Sequence, residues 1–169
     1  QAVPILFYLC LVNKKRQEKA ARVGVVPHMR RYIEEKSHLQ HFATQILCDM
    51  AHASHLARRI LREEGILELY VRLLQKANWD HSALDAITTC FANDQVGLEP
   101  LVVSGVPAII ELFCTAHARK GQVILANLVQ LAEASAKLST ALGDSDLFMS
   151  ELVERLRHAN AFQKPNLDR

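Results

Sequence analysis

The sequence predicts an all-α fold: a right-handed solenoid of about three armadillo-type repeats with partial units at both ends. Three observations carry this reading. A beat of about forty residues runs through the chain. Turn formers are scarce, with 6 glycines and 5 prolines in 169 residues. No stretch shows the two-residue alternation of a half-buried strand.

The beat is set by Gly24-Val25-Val26-Pro27, Gly65-Ile66-Leu67-Glu68 and Gly105-Val106-Pro107-Ala108, whose glycines are 41 and 40 residues apart. Glycine is cheap where a helix ends in a left-handed residue, and proline is tolerated in the first turn of the next helix. Each glycine therefore predicts a sharp corner between a short helix and a longer one. The short helices are Arg16 to Val23, His55 to Glu64 and Gln95 to Ser104. The second helices are Pro27 to Lys36, Ile66 to Lys76 and Pro107 to His117. Third helices, Leu39 to Ala53, Trp79 to Ala92 and Gln122 to Ser135, close the units, with the small residues Ala43, Ala83 and Ala126 at close helix approaches. Ile5 to Val12 reads as the closing helix of a preceding unit and Leu147 to Arg157 as one further helix. The repeat domain thus covers 1–159, with repeat starts near 24, 65 and 105, and residues 160–169 form a frayed tail.

Stacking buries what one repeat cannot bury alone. In such a stack the third helices line the concave face. A forty-residue step aligns Gln45 with Asp85 and Ala126, Asp49 with Thr89 and Gln130, and His52 with Glu133. Polar residues at these positions of otherwise apolar helices form either a hydrated face or a polar to mildly acidic partner groove. The positive charge lies elsewhere, in Lys14-Lys15-Arg16, Arg30-Arg31 and Arg58, Arg59 and Arg62. That ridge reads as solvated, or as a second-choice docking face for an acidic protein surface. The apolar N-terminal edge, with Ile5, Leu6, Phe7 and Tyr8, needs a cover: more repeats, a partner or a second copy.

Composition narrows the function classes. A net charge of +2 is too mild to imply nucleic acid, and no aromatic residues interleave with the arginines to stack bases. The run from Val3 to Val12 is about half the ~20 residues that span a bilayer, so no membrane partner is expected. Opening inside an apolar run without an initiator Met, the chain reads as a piece of something longer. Cys10, Cys48, Cys90 and Cys114 are far apart in apolar helices and read as reduced core residues. No phosphate-binding glycine loop, kinase signature or nucleophile elbow occurs. His38, His41, Cys48, Asp49, His52 and His55 lack the paired, turn-borne spacing of zinc ligands. No cofactor, metal or catalytic residue is assigned.

One stretch is more specific than a repeat. Gly24-Val25-Val26-Pro27-His28, Phe42-Ala43, Ile46-Leu47-Cys48-Asp49-Met50-Ala51-His52-Ala53, and Trp79 followed by Ala83-Leu84-Asp85-Ala86-Ile87 resemble one family. It is the armadillo region downstream of the kinase domain in fungal septation-initiation and mitotic-exit kinases, shared by plant MAP kinase kinase kinase epsilon proteins. The resemblance implies a regulatory, non-catalytic module of a Ser/Thr protein kinase that acts at the spindle pole body. It implies an effector of a Ras-like small GTPase that signals to a downstream kinase with its Mob coactivator. The expected partner is therefore such a GTPase or a spindle-pole scaffold, in the cytoplasm. Homodimerisation through the N-terminal edge is the alternative. A nuclear-import receptor is a poorer fit, since Asp49, Thr89 and Gln130 stand where its asparagines would.

Overall fold

A computed structural model describes residues 2–75 and 80–162. Among them lie eleven α-helices and no strand: α1 (Ala2–Cys10), α2 (Lys14–Arg22), α3 (Val25–Glu34), α4 (Gln40–Ala51), α5 (His55–Glu63), α6 (Ile66–Leu73), α7 (Asp80–Asn93), α8 (Gln95–Thr115), α9 (Ala118–Ala134), α10 (Ala136–Gly143) and α11 (Asp146–Phe162). The all-α prediction holds. The predicted helix limits at Lys76 and Trp79 lie outside the described residues, as does the tail beyond Phe162. The last helix runs through Phe162, past the predicted end at Arg157.

The beat is written most clearly in the helix caps. Asn13, Ser54, Asp94 and Ser135, spaced by 41, 40 and 41 residues, precede α2, α5, α8 and α10. Each side chain accepts a hydrogen bond from the backbone N–H three residues on, at 3.0, 3.1, 3.2 and 3.3 Å. Such a cap satisfies a donor that the first turn leaves without an intrahelical partner. The corners before α2 and α5 share a second tie. Gln17 Nε2 donates to Cys10 O at 3.0 Å, and Arg58 Nη1 to Ala51 O at 3.2 Å. Both close the carbonyl end of the helix just finished. Ser135 marks a fourth beat, and α10 is a helix that the sequence reading omits.

Gly24 (φ 84°) and Gly65 (φ 66°) adopt the left-handed conformation expected at the α2–α3 and α5–α6 corners. The predicted corner at Gly105 does not form. Residues 95–115 are one helix with Pro100 and Pro107 inside it. Its burial explains why: Leu98, Val102, Val106, Ile109, Ile110, Leu112 and Phe113 are all buried, and α8 packs against α6, α7, α9, α10 and α11. Packing on so many neighbours outweighs the interior prolines. By length and composition α8 could cross a membrane, yet it lies within this helical assembly.

The third helices pack in sequence, α1 against α4, α4 against α7, and α7 against α9. Ala43 and Ala83 are fully buried. Ala126 is instead exposed. Measured from the caps, Ile124 occupies the position of Ala43 and Ala83, and it is fully buried. Polar ties cross between units. Tyr70 Oη, itself buried, donates to Leu47 O at 2.6 Å. Arg30 Nη1 donates to Glu64 O at 2.7 Å, and Arg72 pairs with Glu34 at 3.2 Å. Lys137 and Ser135 both bond Glu99, at 2.6 Å. At the far end Arg155 donates to Phe113 O and Ala116 O, at 2.7 Å each, and lies 4.5 Å over the Phe113 ring.

Candidate functional site

The polar stripe read from the sequence is assembled by α4 and α7. On α4, Gln45 Nε2 donates to Asp49 Oδ1 at 2.8 Å, one helical turn apart. His52 ends that helix and reaches across to α7. Its Nε2 lies 3.1 Å from Asp85 Oδ2, and its Nδ1 lies 3.2 Å from Thr89 Oγ1. Asp85 and Thr89 are one turn apart, so a single imidazole meets both. Burial pushes the Asp49 carboxyl above its ordinary value, and the Gln45 hydrogen bond and the charge of His52 pull it back.

Gln130 and Glu133 stay exposed on α9 and do not join this network. The cap register explains the break. Ala92 occupies on α7 the position that His52 occupies on α4, and a methyl group cannot reach the next helix. Among the described residues the stripe is therefore linked from α4 to α7.

Beyond Gln45 the stripe opens into a cleft of about 610 Å³ lined by Ser37, His38, Gln40, His41, Gln45, His81 and Ser82. Sequence reasoning missed Ser37, Gln40, His81 and Ser82. The signal was available, because the cap register that relates Ser54 to Asp94 also relates His41 to His81. The described residues hold no group of three His, Cys, Asp or Glu that could bind a metal ion. Cys48 is in the core.

The basic ridge is partly spent on the fold. Arg62 is ion-paired with Asp94, the cap of α8. Arg58 donates to Ala51 O and, at 2.9 Å, to Asn93 Oδ1. Arg59 pairs with Glu63 at 3.5 Å on its own helix. The N-terminal edge divides similarly. Ile5 and Tyr8 are 58% and 67% exposed, whereas Leu6 and Phe7 pack on the core. The Phe7 ring sits 5.4 Å from that of Phe42. Only half of the predicted self-association set is thus turned outward.

Comparison with known proteins bears on this arrangement. MAP3K epsilon protein kinase 1 of Brassica napus is 34% identical over 171 residues, covering 99% of this chain. Cytokinesis protein sepH of Emericella nidulans is 32% identical over 174 residues, again covering 99%. Cell division control protein 7 of Schizosaccharomyces pombe is 24% identical over 160 residues, covering 94%. The chain is homologous to one segment of these proteins. It spans 13%, 13% and 15% of their respective lengths. No protein-family model and no solved structure matches the chain significantly.

Proposed function

We propose that this chain is a non-catalytic docking and regulatory module of a cell-division Ser/Thr protein kinase. Its helices form a right-handed solenoid of armadillo-type repeats, and the α4–α7 stripe grips a protein partner. The partner is a Ras-like small GTPase or a spindle-pole scaffold, met in the cytoplasm at the spindle pole. The carrying observation is the row α1, α4, α7, α9, each packed on the next, with its polar face joined by His52, Asp85 and Thr89. A pre-formed surface loses little ordering entropy on binding, and its two carboxylates, Asp49 and Asp85, favour a basic or amide-rich segment. Homology to one segment of a protein kinase and of cytokinesis proteins supports the regulatory setting. The test is titration of a partner captured by the wild-type chain against an Asp49→Lys, Asp85→Lys double variant. Loss of binding is expected; unchanged affinity would sink the groove reading.

A second reading, self-association, has its own observation. Ile5, Tyr8 and Leu9 are 58%, 67% and 50% exposed on a helix without a charged residue. Light scattering across a hundredfold concentration range decides it, since a monomer throughout excludes the dimer.

A further inference from the structure

A cavity of about 200 Å³ is lined by residues of α5, α6, α7 and the start of α8, none of them a residue of the stripe. Its polar wall is His55, Arg58, Arg59, Arg62, Asn93 and Asp94, over a floor of Leu67, Cys90 and Leu98. At about 30 Å³ per water this holds roughly six or seven waters, room for the head of one side chain.

The charge of this wall is unbalanced. Three arginines line it beside one carboxylate, Asp94, and that carboxylate is already taken by Arg62. Among the described residues Arg59 is held by Glu63 alone, in an exposed pair at 3.5 Å. Arg58 is the telling residue. Its two acceptors, Ala51 O and Asn93 Oδ1, are neutral, and its buried Nε has no partner among the described residues. A guanidinium drawn partly out of water without a counter-ion is unfavourable, and an anion supplied from outside relieves that cost. Cys90 on the floor adds no competing negative charge, because burial pushes its thiol up to about 12.

We propose that this cavity receives a phosphorylated serine or threonine side chain of a protein partner. A phosphoryl group carries about −1.5 to −2 charge and three strong acceptor oxygens. Its three oxygens can bridge Arg58, which has no carboxylate partner among the described residues, and Arg59, whose pair with Glu63 is long and exposed, where a carboxylate offers only two oxygens. The arginines supply planar forks suited to such an anion. The apolar floor takes the carbon stem.

The experiment is a titration of the 169-residue chain with O-phosphoserine, glutamate and serine at matched ionic strength. It is followed by ¹H–¹⁵N spectra of the arginine Nε–H and Asn93 side-chain signals. Phosphoserine should move the Arg58, Arg59 and Asn93 signals saturably, with glutamate at least about tenfold weaker, or 1.4 kcal/mol, and serine silent. Arg59→Ala should weaken phosphoserine binding by about tenfold or more and Arg59→Lys by less. Arg59 is exposed and its ion pair lies within α5, so the variant keeps its fold, checked by an unchanged melting temperature. Absence of saturable shifts, equal binding of glutamate, or indifference to Arg59→Ala would each overturn the assignment.

Discussion

His52 and Asp85 meet across the α4–α7 boundary with Nε2 3.1 Å from Oδ2, although 33 residues separate them and neither is fully buried. The contact turns two neighbouring helix faces into one surface. Both groups are substantially hydrated, so its energetic weight is small. In a double-mutant cycle, His52→Ala with Asp85→Asn should show a coupling of about 0.3–1 kcal/mol. The cycle of His52→Ala with Gln130→Ala should show none, measured by urea denaturation. Equal coupling in both cycles would contradict the break placed at Ala92.

Asp49 carries a cost of burial. Its folded-state proton affinity is raised above that of the unfolded chain, whose ordinary value is 3.8. The unfavourable contribution is therefore absent below that value and develops as pH rises through the folded value. Asp49→Asn keeps an acceptor for Gln45 and removes the charge. It should stabilise the chain at neutral pH by a few tenths of a kcal/mol, on the order of an exposed pair. The gain should vanish in acid, followed by melting temperature between pH 3 and pH 7.

Capping offers a cleaner stability test. Ser54→Ala should cost about 1 kcal/mol, within the ~0.5–2 kcal/mol range for lost caps, whereas Ser54→Asp should be nearly neutral. Ser135→Ala should cost more than Ser54→Ala. Ser135 caps α10 and also donates to Glu99 Oε1. Chemical denaturation of the three variants ranks them.

The corners separate by backbone. A methyl group at Gly24 meets nothing within 4 Å, so Gly24→Ala is penalised only by its φ of 84°, at roughly 1 kcal/mol. A methyl group at Gly105 would touch Val71 at 3.4 Å from inside a helix. There alanine is the better helix former by about 0.5–1 kcal/mol, so Gly105→Ala should be neutral or stabilising. Thermal unfolding of both variants tests whether α8 is continuous.

Thiol reactivity should follow depth. Burial raises all four thiols, and that of Cys48 most of all. Cys10, Cys48 and Cys90 are buried, and Cys114 is partly open. A disulfide reagent at pH 8 should therefore label Cys114 first and the others only on unfolding. Mass spectrometry of partially labelled chain reads the order. Because the folded state keeps protons that the unfolded thiols release near 9, these groups should also lower stability as pH rises past that value.

What the sequence discloses depends on how local the determining physics is. Gly24 and Gly65 are legible because a left-handed corner is decided within a few residues. Gly105-Val106-Pro107 is nearly the same string as Gly24-Val25-Val26-Pro27, but its fate is set by the helices around it. Pro27 occupies the first turn of α3, where its missing N–H costs nothing, whereas Pro107 lies deep inside α8. The Gln45, Asp49, His52, Asp85 and Thr89 stripe is legible from the repeat step. Its break at Ala92 is not, because that depends on how far a side chain reaches. Asn93 and Asp94 as partners of Arg58 and Arg62 are likewise tertiary facts. α10 is hidden because its start signal, Ser135, is also the end of the preceding helix.

The fused helix α8 has a consequence for how the units are joined. At about 1.5 Å per residue, its 21 residues make a strut of roughly 30 Å. It packs against α6, α7, α10 and α11. Where the first two units turn a corner at a left-handed glycine, the third runs straight on, so one helix joins α10 and α11 to α6 and α7.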